Sequence, residues 1–246
     1  MKRKVVYVLT GITTFLVFLV VFAPAALLWN LVKVDVLRTV PELQVLTVDG
    51  TVWQGDANLR FREFPVTDLN WTLAPLPLVR QQLAFSATLA GDGLNVASEG
   101  TASEPGSSGT LDGYIDASYI NSVASRYGMN FPGRILLEQV TFAADRTWLT
   151  TVSGLLRWGG GRVVLQTPAG TQAFLLPPLE GQLRLTGNNL QLDVSAREGL
   201  VISVLLRPDG WAAVDIKTRL LQVAGIPWPG SENADLTAFM LEEKVF

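Results

Sequence analysis

The chain has 246 residues and a net charge of −3, with 48% hydrophobic and 17% charged residues and a mean hydropathy of +0.30. This is more apolar and less charged than an ordinary soluble domain and points to a membrane segment. Histidine and cysteine are both absent, which excludes imidazole bases, thiolate nucleophiles, disulfides, Cys/His zinc sites and iron–sulfur clusters together. The acidic balance has the wrong sign for a general nucleic-acid binder, so no nucleic-acid partner is expected.

Residues 1–4 read as a cytoplasmic basic N-terminus. Lys2, Arg3 and Lys4 precede an uncharged run, and the positive-inside rule keeps that cluster in the cytoplasm. Residues 5–28 are apolar enough for a transmembrane helix, since about 20 such residues span a bilayer core. Trp29 falls where an interfacial aromatic would anchor the outer end, and residues 29–246 then form a periplasmic β-rich domain. The competing reading is a cleaved signal peptide with Ala23-Pro24-Ala25 as its site; the apolar run is longer than the usual h-region of about 7–15 residues and continues past that site. No later stretch reads as a second span.

Beyond the anchor, short alternating segments separated by Gly, Pro, Asn and Asp predict a curved antiparallel β domain with few helices. Strands are expected over Leu83–Ala90, Arg134–Phe142, Arg162–Thr167, Leu190–Ala196 and Leu200–Arg207. In Leu190–Ala196 the apolar residues share one face and Gln191, Asp193 and Ser195 the other. One helix is expected over Ala117–Tyr127, with Asp116 as N-cap and Gly128 as terminator. Ser98–Gly109, rich in Ser, Gly and Thr, reads as a long loop.

The chain also echoes itself, in a pattern that admits two repeated units over about 44–128 and 149–225. Asp112-Gly113-Tyr114 leads to Gly128 as Asp209-Gly210-Trp211 leads to Gly225. Gly91-x-x-Leu94 is matched by Gly187-x-x-Leu190, Pro75-Leu76 by Pro178-Leu179, and Gly50–Gly55 by Gly154–Gly159, with a tryptophan in each of this last pair.

Catalytic equipment is scarce. Lys33, Lys217 and Lys244 stand in no Ser-x-x-Lys setting, and Asp92, Asp112, Asp193 and Asp209 adjoin Gly or Asn where Asp serves turns. A carboxylate pair converging from distant strands is the remaining route to hydrolysis. Gly159-Gly160-Gly161 lacks the spacing of a phosphate loop and reads as a tight turn. No catalytic residue, cofactor site or metal site is expected. Trp53, Trp71, Trp148, Trp158 and Trp211 lie in or beside alternating strands and are expected in the core. Trp228, between Pro227 and Pro229, is the candidate partner contact.

Three segments in this order give the chain a family likeness: Gly50-Thr51-Val52-Trp53-Gln54-Gly55, Leu69-Asn70-Trp71-Thr72-Leu73-Ala74-Pro75-Leu76, and Gly154 through Trp158-Gly159-Gly160. With the basic N-terminus and single anchor, they resemble the type II secretion system protein N family. The resemblance implies a single-pass inner-membrane protein with a periplasmic domain, a non-enzymatic component of a machine that exports folded proteins across the outer membrane. Its implied partners are other type II secretion components, in the inner-membrane platform or the periplasmic part of the outer-membrane channel, with membrane lipid around the anchor. A more distant resemblance is to AsmA-like proteins, whose curved sheets resemble grooves for lipid passage; it implies a lipid-binding or lipid-transfer alternative.

Overall fold

The computed structural model of the chain describes residues 2–74, 82–167, 170–230 and 232–245; within these, the side chains of 2–6, 8, 39, 123, 127 and 167 are outside the description. Two helices lead, α1 (Lys2–Val21) and α2 (Ala25–Thr39). The first half of the sheet follows as β1 (Leu43–Gly50), β2 (Gln54–Phe61), β3 (Thr67–Ala74), β4 (Gln82–Gly91), β5 (Leu94–Ser103) and β6 (Gly106–Asp116). Next come α3 (Ala117–Ala124), β7 (Met129–Asn130), β8 (Arg134–Ala144), β9 (Leu149–Trp158), β10 (Gly161–Thr167) and β11 (Gly170–Leu176). The chain continues through β12 (Leu179–Thr186), β13 (Asn189–Ala196), β14 (Gly199–Leu206), β15 (Trp211–Lys217), α4 (Thr218–Val223) and β16 (Thr237–Lys244).

Thirteen strands form one antiparallel sheet in the order β1-β2-β3-β4-β5-β6-β8-β9-β12-β13-β14-β15-β16, and β11-β10-β7 form a small second sheet. The register follows from the alternation, because directly opposed residues share a face. One row crosses all thirteen strands, from Val48 and Ala57 through Leu137, Leu156 and Gly181 to Ile202, Ile216 and Phe239, and every position in it is apolar or glycine. The opposite face is polar: Thr72, Ser86, Glu99, Thr110, Thr141, Ser153, Arg184 and Gln191 oppose one another in turn. Of the apolar row only Ala57 and Gly181 are buried; the rest stay partly exposed or, at Phe239, exposed.

The sheet curls until its first and last strands approach at one end. Arg62, just past β2, donates to the Val245 carbonyl at 2.8 Å beyond the end of β16 and is ion-paired with Glu42 before β1. A cavity of about 260 Å³ lies at this junction, lined by residues including Pro41, Phe61 and Lys244.

The mainly antiparallel β architecture is as expected, and all five expected strands are present. The Ala117–Tyr127 helix appears as α3 followed by a 3-10 turn at Ser125–Tyr127, ended by Gly128 at φ 71°. Asp116 does not cap it; its carboxylate accepts from Arg134 Nε at 2.5 Å and Nη2 at 3.2 Å. That hydrogen-bonded guanidinium, joined by its charge, holds the Asp116 carboxyl below its ordinary range against a smaller opposing effect of burial.

Three further expectations are corrected. Ser98–Gly109 is no loop but a paired stretch of β5 and β6. Gly100 opposes Gly109, and a Cβ on Gly100 would stand 2.8 Å from the Phe85 ring, while one on Gly109 would stand 3.2 Å from the Phe142 ring. Aromatic rings of the flanking strands therefore supply the apolar face that these small residues lack. The expected helix over 5–28 is broken at residues 22–24, where Pro24 pairs with Thr51, so α1 ends at Val21. Trp211 is exposed rather than in the core. Gly159–Gly161 joins two strands as expected, β9 of the large sheet and β10 of the small one, with Gly160 at φ 77°. Among the described residues, no helix is long and apolar enough to cross a membrane.

The echoed segments fall in mixed settings. Gly91–Leu94 and Gly187–Leu190 both lie at hairpin tips, and Gly128 and Gly225 both follow a short helix at positive φ. By contrast, Trp53 sits in the β1–β2 turn while Trp158 ends β9, and Asp112-Gly113 lies inside β6 while Asp209-Gly210 lies before β15. Pro75-Leu76 lies outside the described residues.

Candidate interaction surface

Two places in the fold gather the residues singled out above. The first is the β1–β2 turn, where Gly50–Gly55 clasps the break between the two leading helices. Trp53 Nε1 donates to the Val20 carbonyl at 2.9 Å, and Val52 N–H donates to the Ala23 carbonyl at 2.9 Å. Trp71 closes the turn from below: its Nε1 donates to the Val52 carbonyl at 3.1 Å, and its ring lies where a Cβ on Gly55 would come within 2.5 Å. The first two tryptophan segments thus form one device, which fixes the helices to the sheet. Trp158, in the third, donates to the Pro132 carbonyl at 2.8 Å, tying the end of β9 to the segment before β8.

Of the expected orientation residues, Lys2, Arg3 and Lys4 begin α1, with side chains outside the described set. Trp29 is half-buried in α2 rather than at the end of the first helix. Every described side chain of α1 is exposed.

The second place is the C-terminal edge. β16 is the last strand of the sheet and, among the described residues, pairs with β15 alone. Such an edge presents unpaired backbone donors and acceptors, which folded proteins ordinarily blunt with charge or proline. Glu242, Glu243 and Lys244 do so at its far end, and Glu242 faces Arg207 at 3.5 Å. Ahead of them Phe239, Met240 and Leu241 are all exposed, Met240 to 64%.

Trp228 reaches the same edge. Its ring meets Phe239 edge-on, with centroids 5.1 Å apart and planes at 64°, an arrangement aromatic pairs favour. It is half-buried, and Gly230 leaves room for its indole, since a Cβ there would stand 2.9 Å from Cε2. The chain between them is laced to α4: Thr218 N–H donates to the Leu236 carbonyl at 2.8 Å, Gln222 to the Glu232 carbonyl at 2.8 Å, and Arg219 pairs with Asp235 at 2.8 Å. Trp228 and Phe239, with Leu241 on the same side of β16, therefore form one apolar patch at this edge, while Met240, opposite Asp215, is exposed on the other face.

The sequence singles out Trp228 but not β16. The available signal was the run Ala238-Phe239-Met240-Leu241, a short apolar stretch of strand length. Among the described residues no group of acidic side chains could hold a metal ion.

The family model for type II secretion system (T2SS), protein N, matches residues 41–224, three quarters of the chain, from just before β1 to the end of α4. No curated protein and no solved structure is a significant match.

Proposed function

The chain belongs to the type II secretion system protein N family, and on that premise we propose that it is a non-enzymatic, membrane-anchored component of type II protein secretion that binds its partners through the β16 edge. The family gives a role in secretion within the cell envelope, with other secretion components as partners. The finer reading is that α1 holds the protein in the inner membrane with its N-terminus in the cytoplasm and the sheet in the periplasm. In support, the part of α1 from Val5 to Val21 holds no charged residue and is about 25 Å long, at the short end of the roughly 17–25 residues that span a bilayer core. Lys2, Arg3 and Lys4 form the start of α1, ahead of that uncharged stretch, and no acidic residue occurs before Asp35. Retention of α1 is favoured over cleavage at Ala23-Pro24-Ala25, because cleavage there would strip Trp53 and Val52 of their hydrogen-bond partners.

The observation that carries the binding role is the exposed Phe239–Leu241 edge with Trp228 seated against it. An extended segment of a partner could add to this edge as a fourteenth strand, with backbone hydrogen bonds supplying affinity and the apolar side chains specificity. The test is Met240→Lys and, separately, Trp228→Ala in the full-length protein. Both should lower recovery of secretion components from solubilised membranes and reduce export of a folded substrate; undiminished recovery and export would sink the proposal.

A second reading is favoured by the apolar row, which crosses all thirteen strands of the large sheet yet stays largely unburied. Such a face would suit lipid acyl chains in a groove. Native mass spectrometry separates the two: stoichiometric lipid without secretion partners would favour the groove.

A further inference from the structure

We infer that α2 lies along the membrane–water interface, with its outward face in the lipid surface; this rests on the reading of α1 as the anchor. At 100° per residue, Ala25, Trp29 and Val36 form one stripe of α2, and these are its buried or half-buried positions. Opposite them stand Leu27, Leu31 and Val34, exposed to 63%, 77% and 51%. A helix resting on a soluble domain carries its polar residues on that outward side; α2 carries leucine and valine there, joined in its last turn by the exposed Arg38.

Three observations select lipid as the occupant. The apolar surface is continuous with that of α1, whose described side chains are exposed up to Val21, and only Phe22, Ala23 and Pro24 separate the helices. The clasp of Val20 and Ala23 onto the β1–β2 turn fixes where α2 starts, so an anchored α1 delivers α2 to the bilayer surface. The charges also suit an anionic headgroup layer: Lys33 and Arg38 against Asp35 leave the helix net positive. At 15 residues α2 is about 22 Å long, too short to span but long enough to lie flat.

The absence of cysteine allows a clean test on the full chain. Leu31→Cys, Val17→Cys and Asp92→Cys, each carrying an environment-sensitive fluorophore, are reconstituted at low density into vesicles of phosphatidylethanolamine and phosphatidylglycerol. The inference expects the Leu31 label to lose iodide quenching and to respond to shallow lipid-borne quenchers. The Val17 label should respond to deep ones, and the Asp92 label should stay open to iodide. A Leu31 label quenched by iodide like that at Asp92, with Val17 still deep, overturns the inference and leaves the anchor standing. A Leu31 label shielded from iodide but insensitive to lipid quenchers, with energy transfer between copies, assigns the face to a second copy and also overturns it. If Val17 too is open to iodide, the anchor fails and the inference with it.

Discussion

Removing the Trp228 ring should loosen β16 without unfolding the sheet. A tryptophan side chain buries roughly 150–250 Å² when enclosed; half-buried, Trp228 covers on the order of 100 Å², or about 2.5 kcal/mol at ~25 cal/mol per Å². The edge-on contact with Phe239 contributes about 0.5–1.5 kcal/mol more, and residual burial in the unfolded chain lowers the sum, leaving about 2–3 kcal/mol. β16 is held on one side only, so this loss should appear as local opening. Trp228→Ala should therefore speed amide hydrogen exchange in Thr237–Leu241 by about 30- to 150-fold, with β13 and β14 unchanged. Phe239→Ala should do much the same, and the double variant should fall short of additivity by the ring–ring contribution. Unchanged exchange in β16 after Trp228→Ala would refute the reasoning, and so would equal acceleration in β13, which would make Trp228 part of the global core.

Two further outcomes follow from the sheet itself. Gly100→Ala should lower stability by about 1–3 kcal/mol in urea titration, since a Cβ there meets the Ser108 carbonyl oxygen most closely and, at 2.8 Å, both the Gly109 backbone and the Phe85 ring; Phe85→Leu in the same chain should restore only the smaller part of the loss, because the ring can yield and the backbone cannot. Acid sensitivity should depend on Asp116. Its carboxyl is held below the unfolded value of roughly 3.9, so its stabilisation is complete above that value and is lost as pH falls through the folded-state value. Asp116→Asn should be less stable than the parent near neutrality and indistinguishable from it at the acid end, flattening the curve of stability against pH. Asp145, lowered in the same direction by hydrogen bonds from Thr147 and Trp148, keeps some acid dependence in that variant.

Periodicity carried most of the sheet, because a half-covered face leaves a period-two record in residues such as Leu190, Leu192 and Val194. It failed where the apolar contribution came from elsewhere. Ser98–Gly109 holds few large side chains of its own, and Phe85 and Phe142 cover its glycines from neighbouring strands, a relation no local window contains. The break at Pro24 was open to view, yet a proline inside an apolar run is compatible with one continuous span; only the pairing of Pro24 with Thr51 distinguishes two helices from one. At the C-terminal edge, Trp228 stood out through its flanking prolines. Its neighbour Phe239 became meaningful only once the strand order left β16 unpaired on one side, and strand order is a long-range property.

The most direct test of the central claim is photo-crosslinking in cells, with a photoreactive amino acid at Met240 and, as reference, at Thr110 on the polar face of β6. The binding role predicts crosslinks to a type II secretion component from Met240, none from Thr110, and loss of the Met240 crosslink in Trp228→Ala. Crosslinks from Thr110 alone, or from Met240 only to lipid, would contradict it.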